Sequence, residues 1–143
     1  MKGIAIRALI PTLSAFFAAL AFCLPLPSSV VAEDQKVQVI ELVAKKYEYS
    51  PAPVHVKAGS MVRLKITAVD HDHGFKIGAT ADGDKPSGKN GLVFTSPQDC
   101  WQLKKGETTT IEFLAQISGT YTFRCCHTCG LGHRGMKGQI VVD

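Results

Sequence analysis

The chain has 143 residues, with 16 lysines and arginines against 12 aspartates and glutamates, and a formal net charge of +4. This length suits one ordinary domain and is too short for two well-buried ones. Because the net charge is small and the basic residues form no cluster, the composition argues against a nucleic-acid partner.

The N-terminal segment differs from the rest of the chain. Two basic residues precede an apolar stretch over residues 13–24, and small residues lead up to Ala32. This pattern is typical of a secretory signal peptide. We therefore predict a signal peptide over residues 1–32 and an exported, periplasmic domain over residues 33–143. An uncleaved membrane anchor is the alternative, although Pro11 shortens an apolar run that needs about 20 residues to span a bilayer.

Apolar residues alternate with other residues along most of the remaining chain. The alternations occur at Val37 and Val39, Val54 and Val56, Val62, Leu64 and Ile66, Phe75 and Ile77, Ile111 and Phe113, Tyr121 and Phe123, and Ile140 and Val142. Such alternation predicts short strands, and glycine- or proline-containing turns separate them. The pattern favours an antiparallel sandwich or Greek-key barrel of roughly seven or eight strands. Residues 79–99 are polar and predict a long surface loop with at most a short helical turn.

The first candidate metal ligand is a histidine after the predicted strand over residues 62–68. His73 is favoured because Gly74 follows it and lets another backbone approach closely. His71 has the same parity along the chain, so it stays an alternative. In a sandwich, a histidine at such a corner can reach a loop at the same end.

The segment over residues 125–136, called the cysteine loop below, holds six side chains with metal-binding chemistry. They are Cys125, Cys126, His127, Cys129, His133 and Met136. Thiolate and thioether ligands together with imidazole select copper, particularly reduced copper. Strands predicted on both sides would keep the loop rigid, as rapid electron transfer requires.

The spacing Cys125-x3-Cys129-x3-His133-x2-Met136, preceded by His73-Gly74-Phe75, resembles the CuA domain of cytochrome c oxidase subunit II, which nitrous oxide reductase shares. The resemblance covers nearly all of the chain after residue 32. It implies an all-β, cupredoxin-like Greek-key β-sandwich that transfers single electrons and catalyses no reaction of its own. It also implies a redox partner such as a c-type cytochrome or a terminal oxidase or reductase.

The resemblance further implies a dinuclear, mixed-valence centre with two copper ions. The implied ligands are the bridging sulfurs of Cys125 and Cys129, one imidazole each from His73 and His133, the weak ligand Met136 and the backbone carbonyl of His127. The chain departs from the family at Cys126, usually a small polar residue, and at His127, often an acidic one. The two-helix membrane hairpin of a typical subunit II is also missing, which favours a soluble electron carrier or copper-delivery protein over an oxidase subunit.

The cysteines permit other arrangements. Four cysteines follow residue 32, and in an exported protein they could form a disulfide framework. A bridge between Cys125 and Cys129 would staple the loop but would leave His133 and Met136 unexplained. Because the number of these cysteines is even, Cys100 could also pair with Cys126 while Cys125 and Cys129 bind metal.

Other functions remain alternatives at this point. A mononuclear blue-copper site needs only one cysteine, and His73, Cys129, His133 and Met136 would satisfy it. A periplasmic copper carrier that delivers the metal to another protein is a second alternative. Zinc on Cys125, Cys129, His127 and His133 is less favoured, because zinc does not use the methionine. A cysteine nucleophile is disfavoured because the motif supplies no oriented base.

Overall fold

The predicted alternations become strands in the computed structural model, which describes residues 37–84, 89–128 and 130–143. The described residues contain ten strands: β1 (Gln38–Lys45), β2 (Glu48–Ser50), β3 (Val54–Val56), β4 (Met61–Ala68), β5 (His73–Ile77), β6 (Leu92–Phe94), β7 (Trp101–Leu103), β8 (Thr108–Ala115), β9 (Gly119–Arg124) and β10 (Lys137–Val142). A 3₁₀ turn over His133–Gly135 precedes β10. The predicted signal peptide lies outside the described residues. Where the structure describes the chain, it has no helix long and apolar enough to cross a membrane.

The strands form two five-stranded sheets, ordered β2-β1-β4-β8-β6 and β3-β10-β9-β5-β7. This arrangement confirms the cupredoxin-like β-sandwich. Two pairings, β1 with β4 and β3 with β10, are parallel rather than antiparallel. A parallel neighbour needs a long crossover connection, and the segment between β1 and β4 supplies it by passing through β3 in the opposite sheet.

Three short strands raise the number above the expected seven or eight. They are β2, β6 and β7, each of three residues, which the sequence analysis did not predict. The prediction of a long surface loop over residues 79–99 was wrong for β6, because Leu92 is fully buried and β6 pairs with β8. Residues 85–88 of that segment lie outside the described residues.

The core face of β1 is not the one that its valines suggest. Val39 is 50% exposed, whereas Leu42 and Ala44 are buried. Apolar residues occur on both faces of this strand, so its pattern alone does not select one. The register with β4 does, because Leu42 lies beside the buried Ile66 and shares its face.

Aromatic side chains fill the core beneath the start of β5. The rings of Phe75 and Phe123 lie with centroids 5.0 Å apart, and Tyr49 meets Phe123 edge-on at 5.2 Å. The Tyr49 hydroxyl donates a hydrogen bond to the carbonyl of Gly74 at 2.5 Å. These contacts hold the first residues of β5 in place, next to the cysteine loop.

Candidate metal centre

The strand register brings His73 and the cysteine loop to one end of the second sheet. In the antiparallel pairing of β5 with β9, Lys76 lies opposite Arg124. His73 comes three residues before Lys76, and the cysteine loop begins directly after Arg124. β10 also pairs with β9 and has Lys137 opposite Arg124, so Met136 reaches the same end. Residues that are far apart in sequence therefore converge here.

His73 is fully buried, and its two ring nitrogens have different surroundings. Nε2 lies 2.8 Å from a carboxylate oxygen of Asp70. Nδ1 is buried without any hydrogen-bond partner. When Nε2 carries the proton and donates it to Asp70, the lone pair of Nδ1 is left available, and ligand histidines are usually oriented in this way by a carboxylate.

Asp70 is held as a carboxylate at the edge of this site. Burial raises its pKa, but hydrogen bonds from the His73 ring and from the backbone N–H groups of Lys46 and His71 outweigh burial and bring the pKa well below its ordinary value. The side chain is therefore charged at neutral pH and can keep the imidazole of His73 in one orientation.

His71, the alternative ligand, lies outside His73. Its side chain is 32% exposed, and its Nδ1 is 3.0 Å from the second oxygen of Asp70. Its ring lies 4.2 Å from the ring of His73, centroid to centroid. Asp70, His71 and His73 form one cluster of possible metal-binding groups. Of the two histidines, His73 is the one buried beside the cysteine loop.

Cys125 is buried between β5 and the rest of the loop. Its sulfur accepts a hydrogen bond from the backbone N–H of Gly74 at 3.4 Å. Its thiol donates to the backbone carbonyl of His127 at 3.2 Å, and its own N–H donates to the carbonyl of Met136 at 3.0 Å. The sulfur of Cys125 and the carbonyl of His127 are thus in direct contact.

The second half of the loop is organised by the 3₁₀ turn. The N–H of His133 donates to the carbonyl of Gly130, and the N–H of Met136 donates to the carbonyl of His133, both at 3.1 Å. Met136 is fully buried, and His133 is half-buried. Cys129 lies outside the described residues. The other five predicted ligand residues share this end of the domain.

A disulfide joins Cys100, just before β7, to Cys126 in the cysteine loop. This is the disulfide that the sequence analysis allowed from the even number of cysteines. A β-carbon at Gly74 would lie 2.7 Å from the sulfur of Cys126 and 2.8 Å from the backbone nitrogen of His127. Any side chain at this position would have to displace its neighbours, which confirms the expected close backbone approach.

Two residues near the site were not singled out from the sequence. One is Asp70, for which its position three residues before His73 was the available signal. The other is Tyr47, which has a φ of 64° and no comparable signal. A β-carbon at Gly132 would lie 2.3 Å from the Tyr47 ring, so the ring packs flat on the loop backbone. Leu131 beside it is fully exposed.

The donor groups fit copper. The site combines the buried sulfurs of Cys125 and Met136 with the unpaired, buried Nδ1 of His73. Soft sulfur donors and imidazole form the set that copper prefers. A buried nitrogen left unpaired costs about 1–3 kcal/mol, so an ion bound there would relieve a real penalty. The Nδ1 of His127 is a second buried ring nitrogen without a hydrogen-bond partner.

Comparisons with known proteins agree with this geometry. A profile of the cupredoxin-like domain family matches residues 14–142. Cytochrome c oxidase subunit 2 of Thermus thermophilus is 31% identical over 114 residues, which cover 80% of this chain and 72% of that protein.

Two solved structures share the fold at low sequence identity. The periplasmic domain of subunit II of cytochrome oxidase from Bradyrhizobium japonicum has a TM-score of 0.56 at 17% identity, over 74% of this chain and 83% of that one. Auracyanin A, a "blue" copper protein from Chloroflexus aurantiacus, has a TM-score of 0.55 at 18% identity, over 76% of this chain and all (100%) of that one.

Proposed function

The chain belongs to the cupredoxin-like domain family, and from this membership we propose that it is an exported copper protein that transfers single electrons. One observation carries the proposal. The buried Nδ1 of His73 has no hydrogen-bond partner, while Asp70 holds the other nitrogen of the ring. The backbone N–H of the next residue, Gly74, contacts the sulfur of Cys125, so His73 adjoins the residue that touches the cysteine loop.

We assign the copper ligands to the start of β5 and to the cysteine loop between β9 and β10. They are His73, Cys125, Cys129, His133 and Met136, together with the backbone carbonyl of His127. The contact between the Cys125 sulfur and the His127 carbonyl supports their assignment to one centre. Full burial of Met136 supports its role as a weak ligand inside the protein rather than a surface side chain.

The centre we propose is dinuclear, and Cys125 and Cys129 would both hold its two copper ions. A mononuclear site would use Cys129 and leave Cys125 without a function. Yet Cys125 is buried, and its sulfur contacts the backbone N–H of Gly74, the residue that follows His73. The CuA domain that the ligand spacing resembles belongs to cytochrome c oxidase subunit II, and the relative in Thermus thermophilus carries the name of that subunit.

Bound copper supplies the one-electron couple, and the protein supplies a site that barely changes when the couple turns over. Asp70 orients His73, and the Cys125 N–H holds the carbonyl of Met136 across the mouth of the loop. The fully buried rings of Phe75 and Phe123 pack against each other beneath the start of β5, and such close packing resists movement of the chain there. Small rearrangement on oxidation and reduction keeps electron exchange fast.

We place the domain outside the cytoplasm, with a c-type cytochrome or a terminal oxidase or reductase as its redox partner. The N-terminal signal pattern supports export, and the related domain from Bradyrhizobium japonicum is a periplasmic one. The fully exposed Leu131 belongs to the second half of the cysteine loop, and the exposed Tyr47 packs against Gly132 beside it, so we propose these two side chains as part of the surface that meets a partner.

Electron paramagnetic resonance of the copper-loaded protein tests the proposal. We expect one unpaired electron shared by two copper ions, and Cys125→Ser should abolish that signature. A signal from a single copper that survives Cys125→Ser would instead establish the mononuclear alternative. Loss of the metal to a Cu(I) acceptor within a few oxidation and reduction cycles would establish a copper carrier. Failure to bind copper at all would refute the proposal.

A further inference from the structure

The cysteine loop contains one more cysteine than the proposed centre uses. Cys125, Cys126 and Cys129 lie within five residues, and two bridging sulfurs complete a dinuclear site. Reduced copper accepts additional thiolates readily. A third thiol next to the site is therefore a competitor for the metal, and the protein must keep it away from copper.

The disulfide with Cys100 removes this competitor, although it lies very near the site. The sulfur of Cys125 touches the N–H of Gly74 at 3.4 Å. A β-carbon on the same glycine would stand 2.7 Å from the sulfur of Cys126 and 3.0 Å from that of Cys100. One glycine residue thus separates the disulfide from a proposed bridging ligand.

The two halves of the disulfide are not equivalent. Cys126 lies on the loop between Cys125 and His127, which both belong to the proposed ligand set. Cys100 precedes β7, which is paired with β5, and its sulfur accepts a hydrogen bond from the Gln102 side chain at 3.6 Å. If the bond were absent, the thiol of Cys126 would remain inside the loop, whereas that of Cys100 would remain with β7.

We infer that the Cys100–Cys126 disulfide determines how many thiolates can bind the copper. It keeps the Cys126 sulfur from the metal, so that only Cys125 and Cys129 contribute cysteine sulfurs. This inference rests on the proposed function. It assigns Cys100 and Cys126 as positioning residues that never contact the metal. It also accounts for the cysteine at position 126, where a free thiol would compete, since export to an oxidising compartment keeps the bond formed.

Two single variants separate this role from that of a simple cross-link. Cys100→Ser and Cys126→Ser lose the same disulfide, but only the first leaves a third thiol in the cysteine loop. We expect Cys126→Ser, and the double variant, to keep the paramagnetic signature of wild type. We expect Cys100→Ser to lose that signature and to give up Cu(I) to a chelator about tenfold more slowly than Cys126→Ser, because a third thiolate retains the ion.

The measurements are made on the full chain, loaded with copper while the Cys100–Cys126 disulfide of wild type stays intact, with thermal unfolding of the metal-free variants as the check on folding. Both single variants should melt together, since each loses one and the same bond. If serine is not tolerated, Cys100→Ala and Cys126→Ala give the same contrast. Identical spectra and identical Cu(I) release for the two single variants would overturn the inference. A wild-type protein without a dinuclear signature would overturn the proposed function instead, and the release rates would still compare the two thiols.

Discussion

Replacing Gly74 by alanine tests whether the cysteine loop is pinned against β5. The added methyl group would lie 2.7 Å from the sulfur of Cys126, 2.8 Å from the backbone nitrogen of His127 and 3.0 Å from the sulfur of Cys100. Ordinary contacts of a β-carbon begin at 3.4 Å, so each neighbour would have to move by several tenths of an ångström. None is the end of a flexible side chain, because two are cross-linked and one is backbone.

The net cost follows from two opposing effects. Overpacking a rigid site costs about 1–3 kcal/mol. Alanine also reduces the freedom of the unfolded chain, which offsets about 0.4–1 kcal/mol. We therefore expect Gly74→Ala to destabilise the metal-free protein by about 1–2 kcal/mol, which lowers the melting temperature of a domain of this size by about 4–9 °C.

Thermal unfolding of the metal-free protein measures this change, and the spectrum of the copper-loaded protein reports whether the loop has shifted. Gly78→Ala is the matched control. It follows the same strand, and the nearest atom to its β-carbon would be the Thr80 carbonyl oxygen at an ordinary 3.7 Å. If Gly74→Ala is as stable as Gly78→Ala and leaves the copper spectrum unchanged, the loop is not pinned at this glycine and our account of the site is wrong.

Three further predictions concern the surroundings of the site. Asp70→Asn should weaken copper binding by about 10–100-fold in chelator competition, because the carboxylate that orients His73 is lost. The pKa of Asp70 is lowered in the folded protein, so its carboxylate stabilises the fold above the unfolded value of about 3.9 and this contribution is lost as the pH falls further. Acid unfolding should therefore begin below about pH 4 in wild type and depend less on pH in Asp70→Asn; parallel acid titrations of the two proteins would contradict this. Removing both Cys100 and Cys126 eliminates a disulfide that links residues 26 positions apart. Denaturant unfolding of the metal-free protein should show a loss of about 3.5 kcal/mol in the free energy of unfolding. A loss near zero would mean that the unfolded chain is already restrained without the disulfide. Leu131→Ala should leave the stability and the copper spectrum unchanged but slow electron exchange with a c-type cytochrome about tenfold in stopped-flow experiments. The reason is that a fully exposed apolar side chain contributes to binding when a partner covers it. An unchanged rate would mean that the partner binds elsewhere.

Much of the sandwich could be predicted because alternation is a local property. Val62, Leu64 and Ile66 are buried on one face of β4, as their spacing indicates. The valines of β1 show where this argument ends. Apolar residues stand on both sides of that strand, and its core face depended on the register with β4. Strands β2, β6 and β7 were missed for a related reason, since pairing with a neighbouring strand defines them.

The metal preference of the candidate site could be predicted from the sequence alone. Soft donors at fixed spacing in the cysteine loop point to copper whatever the rest of the chain does, because ligand preference belongs to the side chains. A histidine upstream could also be nominated, but His71 and His73 were equivalent by parity.

Only the tertiary structure shows how His71 and His73 differ in burial and which two cysteines pair. His73 is buried with an unpaired nitrogen because β5 pairs with β9 in one particular register. Cys126 bonds to Cys100 because β7 pairs with the other edge of β5 and brings the two sulfurs together over Gly74. Such choices depend on contacts between residues distant in sequence, and those contacts exist only once the sheets have formed.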